Sequence, residues 1–251
     1  NKEEINSKID SIFSTSSIPS FSASIINKDS VFYQVNKGYA DIESSIKLNE
    51  QHAILWASVS KTFLGVSVMK AIEEGYFTLE TNINDLLPFK ISNLNHPNSV
   101  ITVRHLVTHT SGITDKIKDY RKVFFLEDPL SKKFKYDFFT TWGIRKASKN
   151  ENLSLNKLLS EIFIPKGRFY SKKNFTKHKP GENYEYSNTA AALAALIIEH
   201  QTGISYKEYV KLKILTPLKM RYSSFDCNEL KNDNPLDILR NINGKHTTQK
   251  I

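Results

Sequence analysis

Ser58 and Lys61 are the residues of this chain whose types and spacing best suit nucleophilic chemistry. Residues at positions i and i+3 of a helix share a face, so the amine of Lys61 can approach the hydroxyl of Ser58. Burial disfavours the ammonium form, and a neutral amine can take the serine proton. The pattern Ser-x-x-Lys is weak by itself, because a four-residue pattern with two fixed positions often arises by chance. For this motif alone, a serine that caps the helix and a lysine that reaches into solvent are the better explanation.

The tripeptide Tyr186-Ser187-Asn188 is a second candidate for chemistry. A tyrosine can relay a proton, and an asparagine can hold a lysine or a substrate amide. Pro180-Gly181 precede the tripeptide and favour the turn that would present it. Taken alone, the tripeptide is better explained as structural. Its catalytic interpretation depends on the fold bringing it to Ser58.

Apolar helices are predicted directly beside both motifs. The segments and the residues that stop them are 58–74 before Gly75, 189–202 before Gly203, and 205–214 before Pro217. The first is apolar on most sides, which is typical of a buried helix. Thr102 predicts the start of a short helix that runs to about His109. Residues 114–180 show weak periodicity and predict loops and short helices.

The N-terminal region predicts a helix followed by a β-hairpin. Residues 1–14 place four apolar side chains on one side of a helix: Ile5, Ile9, Ile12 and Phe13. Residues 21–27 and 31–37 predict two strands, with a turn at Lys28-Asp29-Ser30 between them.

Composition and charge exclude several classes of function. The net charge of +9 could indicate an anionic partner, but no nucleic-acid-binding motif accompanies the lysines, so we expect no nucleic-acid partner. The one cysteine, Cys227, cannot form an intrachain disulfide, and the adjacent Asp226 disfavours a catalytic thiolate. No apolar run approaches the roughly 20 residues of a membrane span, so we expect no transmembrane segment.

His105 and His109 are four positions apart, a spacing that zinc ligands use on a helix. The glutamate of the motif His-Glu-x-x-His is absent, because Leu106 follows His105. We therefore interpret both histidines as structural, and we expect neither a metal nor another cofactor.

Three segments together resemble the class C β-lactamase family, which also includes DD-peptidases and esterases. They are Trp56-Ala57-Ser58-Val59-Ser60-Lys61-Thr62-Phe63, Ile101-Thr102-Val103-Arg104-His105-Leu106-Val107-Thr108-His109-Thr110-Ser111-Gly112, and Pro180-Gly181-Glu182-Asn183-Tyr184-Glu185-Tyr186-Ser187-Asn188. They occur in the family's order, and Thr216-Pro217-Leu218-Lys219-Met220 extends the similarity. Tyr-Ser-Asn in place of Ser-Asp-Asn points to the class C branch.

The resemblance implies an α/β plus all-α fold of the β-lactamase/DD-peptidase type. In this fold an antiparallel sheet is flanked by helices, and a helical region is inserted. Residues 1–57 and 189–251 would form the α/β part, residues 58–188 would form the helical part, and the active site would lie at their junction.

The resemblance also implies a penicillin-binding-protein-like serine hydrolase that works through an acyl-enzyme. Ser58 would be acylated, Lys61 and Tyr186 would move protons, and Asn188 would position Lys61 and the substrate. The substrate would be a β-lactam, a peptidoglycan peptide or an ester. The family implies a periplasmic or secreted protein, although no signal segment is visible in the polar N-terminus and a cytoplasmic location stays open.

The third motif of the family, Lys/His-Thr/Ser-Gly on a strand, is where the resemblance stops. The nearest candidate, Gly244-Lys245-His246-Thr247-Thr248, has threonine where glycine is expected, and no strand pattern surrounds it. We therefore expect the family's C-terminal strands to be missing. Weak catalysis and self-association through an unpaired sheet edge would follow. The alternative is a catalytically impaired protein of this fold that binds a ligand, or a truncated paralogue.

Overall fold

The chain folds into two compact units, one formed by Asn1–Trp56 and Arg221–Ile251 and the other by Ala57–Met220. The computed structural model describes residues 2–42, 44–52, 54, 56–115, 125–126, 145–146, 154–226, 229, 238–242 and 245–249. The helices in this part of the chain lack the combination of length and apolar character that crossing a bilayer requires.

The first unit opens with helix α1 (Lys2–Thr15) and an antiparallel sheet. The strands follow one another across the sheet as β1 (Ser20–Ile26), β2 (Val31–Asp41) and β3 (Ile46–Lys47). The side chain of Asn27 accepts hydrogen bonds from the backbone N–H groups of Asp29 and Ser30, which closes the turn between β1 and β2. The predicted helix and hairpin are confirmed, although β2 continues to Asp41 instead of ending at residue 37.

Helix α1 packs on the hairpin through a few specific contacts. The Tyr33 hydroxyl donates a 2.6 Å hydrogen bond to Asn6 Oδ1, which joins β2 to the helix. Gly38 has a φ of +80°, and a Cβ there would lie 2.1 Å from the carbonyl oxygen of Pro19 and 3.0 Å from the ring of Phe13. Only glycine fits this close approach. Ile12 remains 68% exposed, so the predicted apolar side of α1 is only partly covered.

The second unit is mainly helical. A 3₁₀ turn, Ala57–Ser60, leads into α2 (Lys61–Glu73), and the later helices are α3 (Val103–Val107), α4 (Leu155–Phe163), α5 (Asn188–Thr202) and α6 (Tyr206–Val210), which continues as a π-helix over Lys211–Leu215. Further 3₁₀ turns span Ile83–Asp85 and Lys172–Asn174, and the short strands β4 (Phe125–Leu126) and β5 (Arg145–Lys146) pair in parallel. The helices predicted at residues 58–74, 102–109, 189–202 and 205–214 are confirmed. The prediction of loops and short helices over residues 114–180 falls mostly outside the described residues.

Helix α5 is the centre of this unit, and it packs against α2, α3, α4 and α6. Its alanines let these helices approach closely, and Leu193 and Ile198 are completely buried. Gly203 ends the helix with a φ of +76°, as predicted. Because of this packing, residues 189–220 belong with the helical unit, whereas the sequence analysis placed them with the terminal part.

Helix α2 is less buried than its composition predicts. Leu64, Val68 and Ala71 lie in the core, but Val66 and Met69 on another face are 53% and 54% exposed. The prediction of a helix buried on most sides is therefore wrong for that face. An apolar sequence shows which side chains favour burial, but the neighbouring elements decide which of them are covered.

The last described residues form two paired strands. Strand β6 (Ile238–Ile242) pairs with β7 (Lys245–Gln249) in antiparallel register, with Arg240 opposite Thr247. No strand was predicted around Gly244-Lys245-His246-Thr247-Thr248, and this is wrong for residues 245–248, which belong to β7. The segment is too polar to show apolar alternation, whereas backbone pairing with a neighbouring strand does not require it.

Candidate active site

The four side chains predicted to form a site lie together in the helical unit. Ser58 Oγ accepts a 3.2 Å hydrogen bond from Lys61 Nζ and a 2.9 Å hydrogen bond from the Tyr186 hydroxyl. Lys61 Nζ also donates to Asn188 Oδ1 at 2.7 Å. Residues separated by about half the chain therefore form one connected group around the serine oxygen.

The N-terminal ends of two packed helices position these residues. Lys61 is the first residue of α2, and Ser58 lies in the 3₁₀ turn before it rather than inside the helix. Ala57 has a φ of +43°, which is uncommon for a residue with a side chain and marks a sharp entry into this turn. Tyr186 and Asn188 flank Ser187, whose hydroxyl caps α5 by accepting from the N–H of Ala190 at 3.0 Å.

Asp115 is a member of the site that the sequence analysis missed. Its carboxylate accepts hydrogen bonds from the hydroxyls of Ser187 and Thr189, from the backbone N–H groups of Asn188 and Thr189, and from Asn188 Nδ2, all between 2.8 and 3.0 Å. No motif marks Asp115 in the sequence, and 73 positions separate it from Asn188. Only its proximity to Ser111-Gly112 could have drawn attention to it.

Comparison with known proteins identifies the family. The sequence profile of the family described as "Beta-lactamase" matches residues 5–235, which is most of the chain. The chain belongs to the β-lactamase family. The predicted β-lactamase/DD-peptidase-like fold is confirmed, and the described antiparallel sheet and helices agree with it.

Relatives of this β-lactamase-family chain include proteins of bacteria and an archaeon. It is 28% identical over 230 residues to protein Flp of Staphylococcus aureus (strain MRSA252), a match that covers 92% of the chain and 39% of Flp. It is 27% identical over 193 residues to penicillin-binding protein 4* of Bacillus subtilis (strain 168), covering 76% and 34% of the two proteins. The octameric penicillin-binding protein homologue from Pyrococcus abyssi superposes with a TM-score of 0.74 at 25% identity, covering 98% of this chain and 50% of that one. The chain therefore spans about two fifths of the length of the curated relatives that it matches.

Hydrogen bonding keeps the partly buried carboxylate of Asp115 ionised. Burial is the largest single influence and raises the pKa of Asp115, but the hydrogen bonds from Thr189, Asn188 and Ser187 together outweigh it and lower that pKa below its ordinary value. The first turn of α5 adds the favourable field of a helix N-terminus. The protein therefore holds a fixed negative charge beside Asn188.

The phenol of Tyr186 also titrates more readily than usual. Burial, the largest influence, raises the pKa of Tyr186, but the side chains of Lys61 and Ser58 favour the phenolate and lower the pKa below its ordinary value. Lys61 Nζ lies 5.0 Å from the centre of the Tyr186 ring. A group poised in this way next to a serine hydroxyl can exchange protons with it.

His109 contacts both Tyr186 and Ser187. Its ring lies 4.7 Å from the ring of Tyr186, and its Nδ1 accepts a 3.3 Å hydrogen bond from the backbone N–H of Ser187. Burial and the nearby charge of Lys61 lower the pKa of His109, although Asp115 opposes this. The ring is therefore held neutral, as the acceptor role of Nδ1 requires.

His105, the second histidine considered as a zinc ligand, accepts from the N–H of Thr102 at 3.2 Å and completes the cap of α3. Within the described residues no group of three or more His, Cys, Asp or Glu side chains could hold a metal ion.

Protonation of His109 is expected to destabilise the protein. The unfolded chain binds this proton more readily than the folded protein, because the pKa of His109 is lower in the folded protein. The stability that the neutral ring of His109 contributes is therefore fully present above about pH 6.5, and it is lost as the pH falls toward the lower folded-state pKa. Urea unfolding at about pH 7.5 and about pH 5.5 should show a smaller acid-induced loss of stability for His109→Gln than for the wild type. An equal loss in both proteins would show that His109 is not responsible.

Proposed function

We propose that this protein is a serine hydrolase that forms an acyl-enzyme on Ser58. The observation that carries the proposal is the pair of hydrogen bonds that Ser58 Oγ receives, from Lys61 at 3.2 Å and from Tyr186 at 2.9 Å. A serine that only caps a helix does not require two proton-transfer groups at its hydroxyl oxygen, whereas an activated nucleophile needs an adjacent base. Membership of the β-lactamase family supports the same conclusion.

The reaction is an acyl transfer in two stages. Ser58 Oγ bonds to the substrate carbonyl carbon, and its proton passes to the pair formed by Lys61 and Tyr186. The tetrahedral intermediate then expels an alcohol or amine, which takes that proton and leaves an ester on Ser58. Water, deprotonated by the same pair, attacks the ester, and Ser58 recovers its hydroxyl. The N-terminal end of α2 favours the negative charge that develops on the carbonyl oxygen.

The substrate is an amide or an ester whose carbonyl carbon can reach Ser58. β-Lactams and peptidoglycan peptides belong to this class. One relative is named a penicillin-binding protein, and this supports a β-lactam or a peptidoglycan peptide as the substrate. The rings of Tyr184 and Tyr186 are 64% and 42% exposed, and both lie against the ring of His109, so they offer an apolar surface at the site. A peptidoglycan substrate would place the protein in the periplasm or outside the cell. The octameric Pyrococcus homologue supports the further expectation of self-association.

Labelling with a fluorophosphonate tests the proposal. We expect the wild type to be modified at Ser58 alone and the Ser58→Ala variant to lose labelling, because only an activated serine reacts at an appreciable rate. Ser60→Ala is the matched control, since Ser60 is two residues away and makes no capping bond. Intact-mass and peptide mass spectrometry locate the label. Modification at Ser60 instead of Ser58 would overturn the assignment of the nucleophile. If no serine is modified, the assignment also fails, and a binding protein of this fold is favoured.

A further inference from the structure

Asn188 can accept a hydrogen bond from Lys61 in only one of the two orientations of its carboxamide. Its carboxamide has an oxygen that accepts hydrogen bonds and a nitrogen that only donates them. With Oδ1 toward Lys61, as in this structure, the asparagine accepts a 2.7 Å hydrogen bond from Nζ. A half-turn of the carboxamide would place Nδ2 there, and two donors would face each other. The orientation therefore decides whether Asn188 holds Lys61 beside Ser58 or releases it.

We propose that Asp115 is a positioning residue that selects this orientation, an inference that rests on the proposed function. Asp115 Oδ2 accepts from the backbone N–H of Asn188 at 2.8 Å and from its Nδ2 at 2.9 Å. The reversed carboxamide would place its oxygen against an ionised carboxylate. That contact is repulsive, so Nδ2 faces Asp115 and Oδ1 faces Lys61.

Asp115 is itself held in place independently of Asn188. Its Oδ1 accepts from the hydroxyl of Ser187 at 3.0 Å and from the backbone N–H and hydroxyl of Thr189 at 3.0 and 2.8 Å. These donors belong to the first residues and the cap of α5, a helix of 15 residues. The carboxylate is thus fixed to the helix end, and its position does not depend on the carboxamide that it orients.

The result is a chain of contacts from Asp115 through Asn188 and Lys61 to Ser58. Without the carboxylate, Lys61 loses its acceptor in part of the molecules, and its amine is no longer held 3.2 Å from Ser58 Oγ. Because Asp115 acts on the nucleophile through Asn188, its loss should slow the chemical step and leave reagent binding nearly unchanged.

The test is a double-mutant cycle on the rate of Ser58 labelling by a fluorophosphonate, measured over a range of reagent concentrations. Asp115→Asn keeps the shape but offers an amide, and we expect the maximal labelling rate to fall by about 10²-fold, the loss typical of a small misplacement of a reacting group. The concentration for half-maximal rate should stay the same. In the Asn188→Ala background the same substitution should have almost no further effect, because the residue through which Asp115 acts is gone.

Two further variants separate positioning from folding. Thr189→Val removes one of the three hydrogen bonds to Oδ1 of the same carboxylate and leaves both bonds from Asn188, so its labelling rate should fall far less than that of Asp115→Asn. Asp115→Glu retains the charge and should recover part of the rate. Additive effects of Asp115→Asn and Asn188→Ala, or a loss in Thr189→Val as large as in Asp115→Asn, would overturn the inference while leaving the assignment of Ser58 intact. Absence of wild-type labelling at Ser58 would overturn the proposed function and this inference with it.

Discussion

Replacement of Lys61 by alanine is expected to lower the rate of Ser58 acylation by about 10²–10⁴-fold, the usual contribution of a general base. The amine is 3.2 Å from Ser58 Oγ and is the first side chain of α2, so its removal takes away the base without touching the core. Lys70→Ala is the matched control, because Lys70 belongs to the same helix and forms an exposed ion pair with Glu73. Steady-state hydrolysis of a nitrophenyl ester and thermal unfolding report activity and folding.

Lys61→Arg distinguishes a base from a fixed positive charge. Arginine remains protonated and cannot accept the serine proton. We therefore expect Lys61→Arg to be about as slow as Lys61→Ala. Recovery of most of the wild-type rate by arginine would mean that Lys61 acts through its charge and that another group takes the proton.

Replacement of Tyr186 by phenylalanine is expected to lower the acylation rate by a similar factor of about 10²–10⁴. One oxygen atom is lost, together with its 2.9 Å hydrogen bond to Ser58 Oγ, while the ring stays beside His109. Tyr184→Phe is the matched control, because it removes a hydroxyl from a neighbouring exposed tyrosine.

The pH–rate profile adds a second readout for Tyr186. Because the pKa of Tyr186 lies below its ordinary value, the wild-type rate should rise with pH through that lowered pKa as the phenolate forms. This rise should be absent from the profile of Tyr186→Phe. A Tyr186→Phe variant with the wild-type rate and profile would assign proton transfer to Lys61 alone.

Local patterns were sufficient to predict several elements in each of the two units. Gly203 ends α5 with a φ of +76°, and Asn27 closes the turn of the first hairpin, because these are short-range effects of individual side chains. The pairing of Ser58 with Lys61 was predictable for the same reason, since a three-residue separation within one turn determines their proximity.

Long-range packing decided what the sequence left open. Val66 and Met69 are as apolar as the buried residues of α2, but no neighbouring residue in the sequence shows that their face remains exposed. The strand Lys245–Gln249 is defined by its backbone partner rather than by alternation of its own side chains.

The site itself shows the same difference between what local sequence determined and what long-range packing decided. The sequence determined the chemistry available, namely a serine and lysine one turn apart and a tyrosine and asparagine at the start of another helix. Only the tertiary structure brought the two helix ends together and placed Asp115 against Asn188 across 73 positions of chain. The physical reason is that hydrogen bonds between distant segments depend on how helices pack, and that packing is a property of the whole core rather than of any local spacing.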